Sequence, residues 1–158
     1  MPIQDAFNVR SNVLTHTIPS QLGSFVSLES YMYLNGQTGD GGFTACVPTE
    51  LGKISKLETH FSLAANELTS SVPTQLGRLS SISYMFNLDN AFSRRSSIPT
   101  ELGKLSNMQG YMMLASNKLC GDIPTQFQAL SSQVSIGWQV STGSLIRNQH
   151  LHGNNRSL

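Results

Sequence analysis

The residues able to do chemistry are few, and their spacing does not assemble them. Nucleophilic catalysis needs a nucleophile, a base and an orienting group within hydrogen-bond reach. His16, His60, His150 and His152 fall at unrelated positions, and no GxSxG phrase places a serine on a nucleophile elbow. The chain is therefore expected not to be an enzyme. His150 and His152 offer two imidazoles, whereas zinc takes four ligands, or three and a water. They read as solvated tail residues, and no metal or cofactor is expected. Asn155–Ser157 spells a glycosylation triplet, which without a secretory leader reads as chance.

Composition narrows the partners further. The 158 residues fit one domain; 39% are hydrophobic and 12% charged, with a net charge of +1. Lys53, Lys56, Arg78, Lys104 and the Arg94–Arg95 pair interleave with Glu50, Glu58 and Glu101. That pattern is a solvated face, without the aromatic interleaving of a nucleic-acid surface. No apolar run approaches the roughly 20 residues of a membrane span, and MPIQDAFNVRSNVL is no signal peptide. Neither a nucleic-acid partner nor a membrane span is expected, and the sequence assigns no compartment.

The positioning elements emerge when the prolines are aligned. Pro19, Pro48, Pro73, Pro99 and Pro124 each follow Ile or Val and recur every 25 to 29 residues. Four open nearly one phrase, PTELGKIS, PTQLGRLS, PTELGKLS and PTQFQALS, and PSQLGSFV is a looser copy. Each reads as a short helical turn with Pro at its first position. Gly23, Gly52, Gly77 and Gly103 are expected to close it in the left-handed region. Leu22, Leu51, Leu76, Leu102 and Phe127 point inward, followed by Phe25, Ile54, Leu79, Leu105 and Leu130. A period-two strand comes next, with inward pairs Met32/Leu34, Phe61/Leu63, Phe86/Leu88, Met112/Leu114 and Trp138/Val140. Asn66 and Asn117 then stand where an amide can bond backbone groups of neighbouring coils. Phe7, Val9, Asn12, Leu14, Ile18 and Pro19 fit the same template.

These motifs resemble the plant-type leucine-rich repeat, LxxLxLxxNxLxGxIPxxLGxLxx, which also occurs in algae and other protists. LASNKLCGDIPTQFQALSS, from Leu114 to Ser132, is the nearest copy, and the likeness covers roughly residues 5 to 142. It implies an α/β solenoid, a right-handed superhelix with one parallel sheet and short 3-10 turns. Residues 1–142 would form about six coils, the first and last partial, and 143–158 a disordered tail. Every copy has one extra residue before its strand, NGQTGDGGF from Asn35 to Phe43 is an insertion, and Asp89 to Ser97 is irregular. Cysteine-bearing end caps are missing, which suggests a piece of a larger protein. Cys46 and Cys120, three coils or about 14 Å apart, lie too far apart for a disulfide, so both read as unpaired, half-buried thiols.

The candidate binding residues lie around the inward strand positions. Tyr31, His60, Met85 and Tyr111 precede the first, and Tyr33, Ser62, Asn87 and Met113 lie between the two. Alternation exposes them as one stripe on the concave face, with Ala64, Asp89, Asn90 and Ser116 just beyond. The plainer reading is that the extra residue rotates the strands and half-buries the stripe. Function by resemblance is recognition of a protein or peptide partner, as in receptor ectodomains or enzyme inhibitors, with a role in signalling. The alternatives are a structural, cell-surface or ice-contacting solenoid, or a fragment without independent function. The ladder Ser20, Thr49, Thr74, Thr100 and Thr125 bears on the ice reading; its plainer explanation is local hydroxyl bonding at each turn.

Overall fold

The proline-led phrases fold as five-residue 3-10 turns: η1 Ser20–Ser24, η2 Thr49–Lys53, η3 Thr74–Arg78, η4 Thr100–Lys104 and η5 Thr125–Ala129. The structure is a computed structural model that describes residues 5–37, 42–130, 135–137 and 146–147. Proline stands one residue before each turn rather than inside it. Its φ suits the extended entry (Pro48, φ −61°, ψ 130°). Its carbonyl accepts the first turn bond, as Pro48 does from Leu51 N–H at 3.2 Å. The Thr hydroxyls cap nothing; Thr49, Thr74 and Thr100 donate to the side chain of the next residue at 3.2–3.4 Å.

Three-residue strands follow: β1 Ala6–Asn8, β2 Tyr31–Tyr33, β3 His60–Ser62, β4 Met85–Asn87 and β5 Tyr111–Met113. Beyond them come β6 Gly121–Asp122, β7 Ser135–Gly137 and β8 Ile146–Arg147. Strands β1 to β5 and β7 form one six-stranded sheet with every pair parallel. Phe7, Met32, Phe61, Phe86 and Met112 stand in register across it. This is a leucine-rich repeat solenoid. A second, two-stranded sheet pairs β6 with β8, so residues 146 and 147 of the expected tail are paired; the rest of 143–158 lies outside the described residues.

The core is one apolar column between turns and strands. Met32, Leu51, Ile54, Phe61, Leu63, Leu76, Phe86, Leu102, Met112 and Phe127 are fully buried, each worth roughly 1.5–3 kcal/mol in water-excluded surface. Phe61 and Phe86 stack at 5.5 Å. Leu22 and Phe25 are only partly buried, and Leu14 is exposed, because these residues of the first coil have a described neighbour on one side alone.

Two expectations are corrected. The turn glycines are not left-handed. Their need is close approach: a Cβ on Gly23, Gly52, Gly77 or Gly103 would lie under 3.0 Å from backbone or Cβ atoms of Glu50, Gln75, Glu101 or Gln126 in the next turn. The last strand also shifts, since the register puts Ile136 opposite Met112. The connection there is one residue shorter, and Leu130 closes η5 in the helical region (ψ −23°) where Leu105 closes η4 at ψ 58°. Trp138 and Val140 lie outside the described residues, as do His150, His152 and Asn155–Ser157.

Left-handed backbone instead marks the strand exits, at Ser11 (φ 56°), Gly36 (64°), Ala65 (51°), Asn90 (49°) and Ser116 (55°). The residue after three of them, Gln37, Asn66 and Asn117, ties neighbouring coils together through its side-chain amide. Asn66 Nδ2 donates to the carbonyls of Leu34, Leu63 and Ala64, and its Oδ1 accepts Phe43 N–H at 2.9 Å. Asn117 Nδ2 donates to Leu88, Leu114 and Ala115, and Oδ1 accepts from Ala91 and Phe92. Gln37 serves the second coil, donating to Val9 O and accepting Leu14 N–H. Buried Ala91 leaves the fourth rung without an amide. Phe43 returns the insertion to the core; its residues 38–41 lie outside the described residues. Cys46 is exposed rather than half-buried, Cys120 is half-buried, and both are free.

Candidate binding face

The registered strands carry their non-core side chains onto one sheet face. Tyr31, His60, Met85 and Tyr111 fall side by side, as do Tyr33, Ser62, Asn87 and Met113. Tyr111 is exposed; Tyr31, Tyr33, His60, Met85, Asn87 and Met113 are half-buried. Ser62 departs from the expected exposed stripe at 2% exposure. Its short side chain sits between Tyr33 and Asn87 in the column, and its hydroxyl accepts Ala64 N–H at 3.4 Å. The strands have not rotated to bury the face, since Met32, Phe61, Phe86 and Met112 remain fully inward. The rings shield one another instead.

That shielding is continuous along the stack. Tyr31 stacks on Tyr33 at 5.0 Å, Tyr33 meets His60 at 5.7 Å, His60 meets Tyr84 at 5.0 Å, and Tyr84 meets Tyr111 edge-on at 5.8 Å. The Arg10 guanidinium lies over Tyr33, 5.4 Å from its centroid, a cation–π contact. Sequence reasoning missed Arg10 and Tyr84. Tyr84 precedes Met85, and at 52% exposure it is the most open ring of the run. In the next coil Gly110 holds that position, because a Cβ there would strike the Tyr84 backbone. A tyrosine directly before an inward-outward strand was the available signal.

Burial sets the electrostatics. Desolvation raises the Tyr33 hydroxyl, Arg10 opposes it and Tyr31 adds to it. Desolvation lowers His60, so its neutral form is favoured. Asp89 is raised by desolvation against the opposing bond from Ala115 N–H, 2.6 Å from its Oδ1. Of the neighbours expected to extend the contact, Asp89 and Ala64 are half-buried, while Asn90 and Ser116 are exposed. His60 Nδ1 and Asn35 Oδ1 are buried without a hydrogen-bond partner. No group of three His, Cys, Asp or Glu among the described residues could hold a metal ion. A hollow lined by Thr100, Glu101, Gly103, Lys104 and Gln126 lies among the turns, away from the rings. No described helix is long and apolar enough to cross a membrane.

The geometry is that of repeat proteins that meet partners along an extended surface. No family model and no curated protein sequence matches the chain. Solved structures do. The Arabidopsis receptor kinase HAESA, in complex with the peptide hormone IDA and the co-receptor SERK1, matches at 26% identity and TM-score 0.66, over 83% of this chain and 22% of that one. The Arabidopsis BIR2 ectodomain matches at 24% and 0.66, over 92% and 71%. A plant ice-binding protein matches at 23% and 0.66, over 81% and 39%. The last two show the fold alone. This chain spans about a fifth of the HAESA chain's length.

Proposed function

We propose that this chain is a non-catalytic leucine-rich repeat module that recognises a protein or peptide partner through its concave sheet face, in a receptor-like signalling setting. The observation that carries the reading is the unbroken run of rings from Tyr31 to Tyr111 on a sheet face that no described element covers. Tyrosine gives a large rigid contact with a polar tip, and Met85 and Met113 adapt to irregular partners. HAESA binding a peptide hormone supports the choice of partner. The test is selection of a peptide display library against the full chain, repeated on the variant carrying Tyr31→Ser, Tyr33→Ser and Tyr111→Ser. The variant should keep its circular dichroism and lose the selected peptides. A collapsed spectrum would return the stripe to the core.

A second reading, contact with ice, is favoured by one observation. Ser20, Thr49, Thr74, Thr100 and Thr125 are all exposed at equivalent places on successive turns. A freezing-hysteresis assay separates it, since a peptide-binding module leaves freezing unchanged.

A further inference from the structure

One line of residues beside the rings joins opposite charges across uncharged ground. Ser11, Gly36, Ala65 and Asn90 donate their N–H groups to the carbonyls of Asn35, Ala64, Asp89 and Ala115. Arg10, Asn35, Ala64, Asp89 and Ala115 therefore form a column where the strands end. Arg10 stands at one end, over Tyr33. Asp89 stands three coils further on, half-buried. Neither takes part in an ion pair among the described residues. Between them lie the small Ala64 and Asn35, whose Oδ1 is unpartnered. Three strand spacings are about 14 Å, which an extended peptide covers in about four residues.

We propose that this column is one wall of a peptide groove that reads a charge pair: an acidic residue against Arg10 and a basic residue against Asp89, about four positions apart. The rings of Tyr33, His60 and Tyr84 receive the side chains between. The proposal rests on the concave face being the contact surface. A guanidinium resting over a ring keeps its fork of donors available for a carboxylate. Burial disfavours the charged form of Asp89, and a cation brought by the partner relieves that penalty. Opposite charges at the two ends also fix which way the peptide lies.

The experiment selects a randomised peptide display library against the full chain, Arg10→Gln, Asp89→Asn, and a Tyr33→Ser, Tyr84→Ser double variant. Asp89→Asn keeps an oxygen for Ala115 N–H, and circular dichroism checks that all variants fold. Peptides enriched on the unaltered chain should carry an acid and a base about four residues apart. Arg10→Gln should lose the preference for the acid and Asp89→Asn that for the base, each binding the parental peptides about tenfold more weakly. Enriched peptides that need Tyr33 and Tyr84 but show no charge pair would overturn this inference and leave the face intact. Peptides indifferent to the tyrosines, or no enrichment at all, would overturn the face as well.

Discussion

The turn side and the sheet side of the solenoid are made from the same coils under opposite rules. On the turn side the phrase repeats because backbone meets backbone. Each of Gly23, Gly52, Gly77 and Gly103 leaves open the space that the next turn fills. On the sheet side Tyr31, His60, Met85 and Tyr111 align with three different residue types in four positions, because no described element packs over them. Repetition thus marks where coils touch, and variety marks the face proposed to meet a partner.

Breaking the backbone side should have the largest effect. Asn117→Leu strands the Phe92 N–H and the Leu114 carbonyl and leaves the Ala91 N–H and the Leu88 carbonyl only their 3.3 Å bond to each other, which should cost about 4 kcal/mol in urea unfolding. Gly77→Ala forces η3 away from Glu101 and should cost about 3 kcal/mol. Tyr84→Ser on the sheet face should cost less than about 1 kcal/mol; a loss as large as that of Gly77→Ala would erase the distinction between the sides.

Two smaller effects sharpen it. Desolvation lowers His60 below its ordinary 6.5, so the unfolded chain takes up the proton first. Stability should therefore fall as pH drops from about 6.5 towards the depressed folded value. His60→Gln should remove that part of the pH dependence, seen by comparing urea midpoints of the two proteins at neutral and acid pH. Ala65, left-handed at φ 51°, should gain about 0.5–1 kcal/mol on replacement by glycine, whose backbone carries no penalty there; a loss on thermal unfolding would contradict the strain.

What the sequence made legible was whatever repeats within a coil. The aligned prolines predicted every turn, the four inward pairs through Met112/Leu114 predicted four strands, β2 to β5, and Asn66 and Asn117 were read with their true role. Distances between coils were not legible. Gly77 was expected to bend the chain, when it makes room for Glu101, because spacing along one coil is silent about the gap to the next. Gln37 escaped as a stand-in for asparagine, since its longer side chain reaches similar backbone groups from an unfamiliar residue type. Trp138 was read into the last strand by copying earlier spacing, but Ile136 is paired there because Leu130 ends its turn differently. Of the candidate site the aligned positions were visible, while Arg10 and Tyr84 were not, because their place depends on ring contacts across coils.

Among the described residues each turn, and each strand of the six-stranded sheet, touches only its neighbours in the stack, η1 with η2, β1 with β2, and so on to β5 with β7. Mechanically such a molecule is a chain of equal clasps, and amide protons near the middle should exchange with deuterium more slowly than those at the ends. An extended ligand reaching from Arg10 to Asp89 would cross three of these clasps at once. Occupancy would then act as a splint, slowing exchange across all the spanned coils together rather than at a single contact.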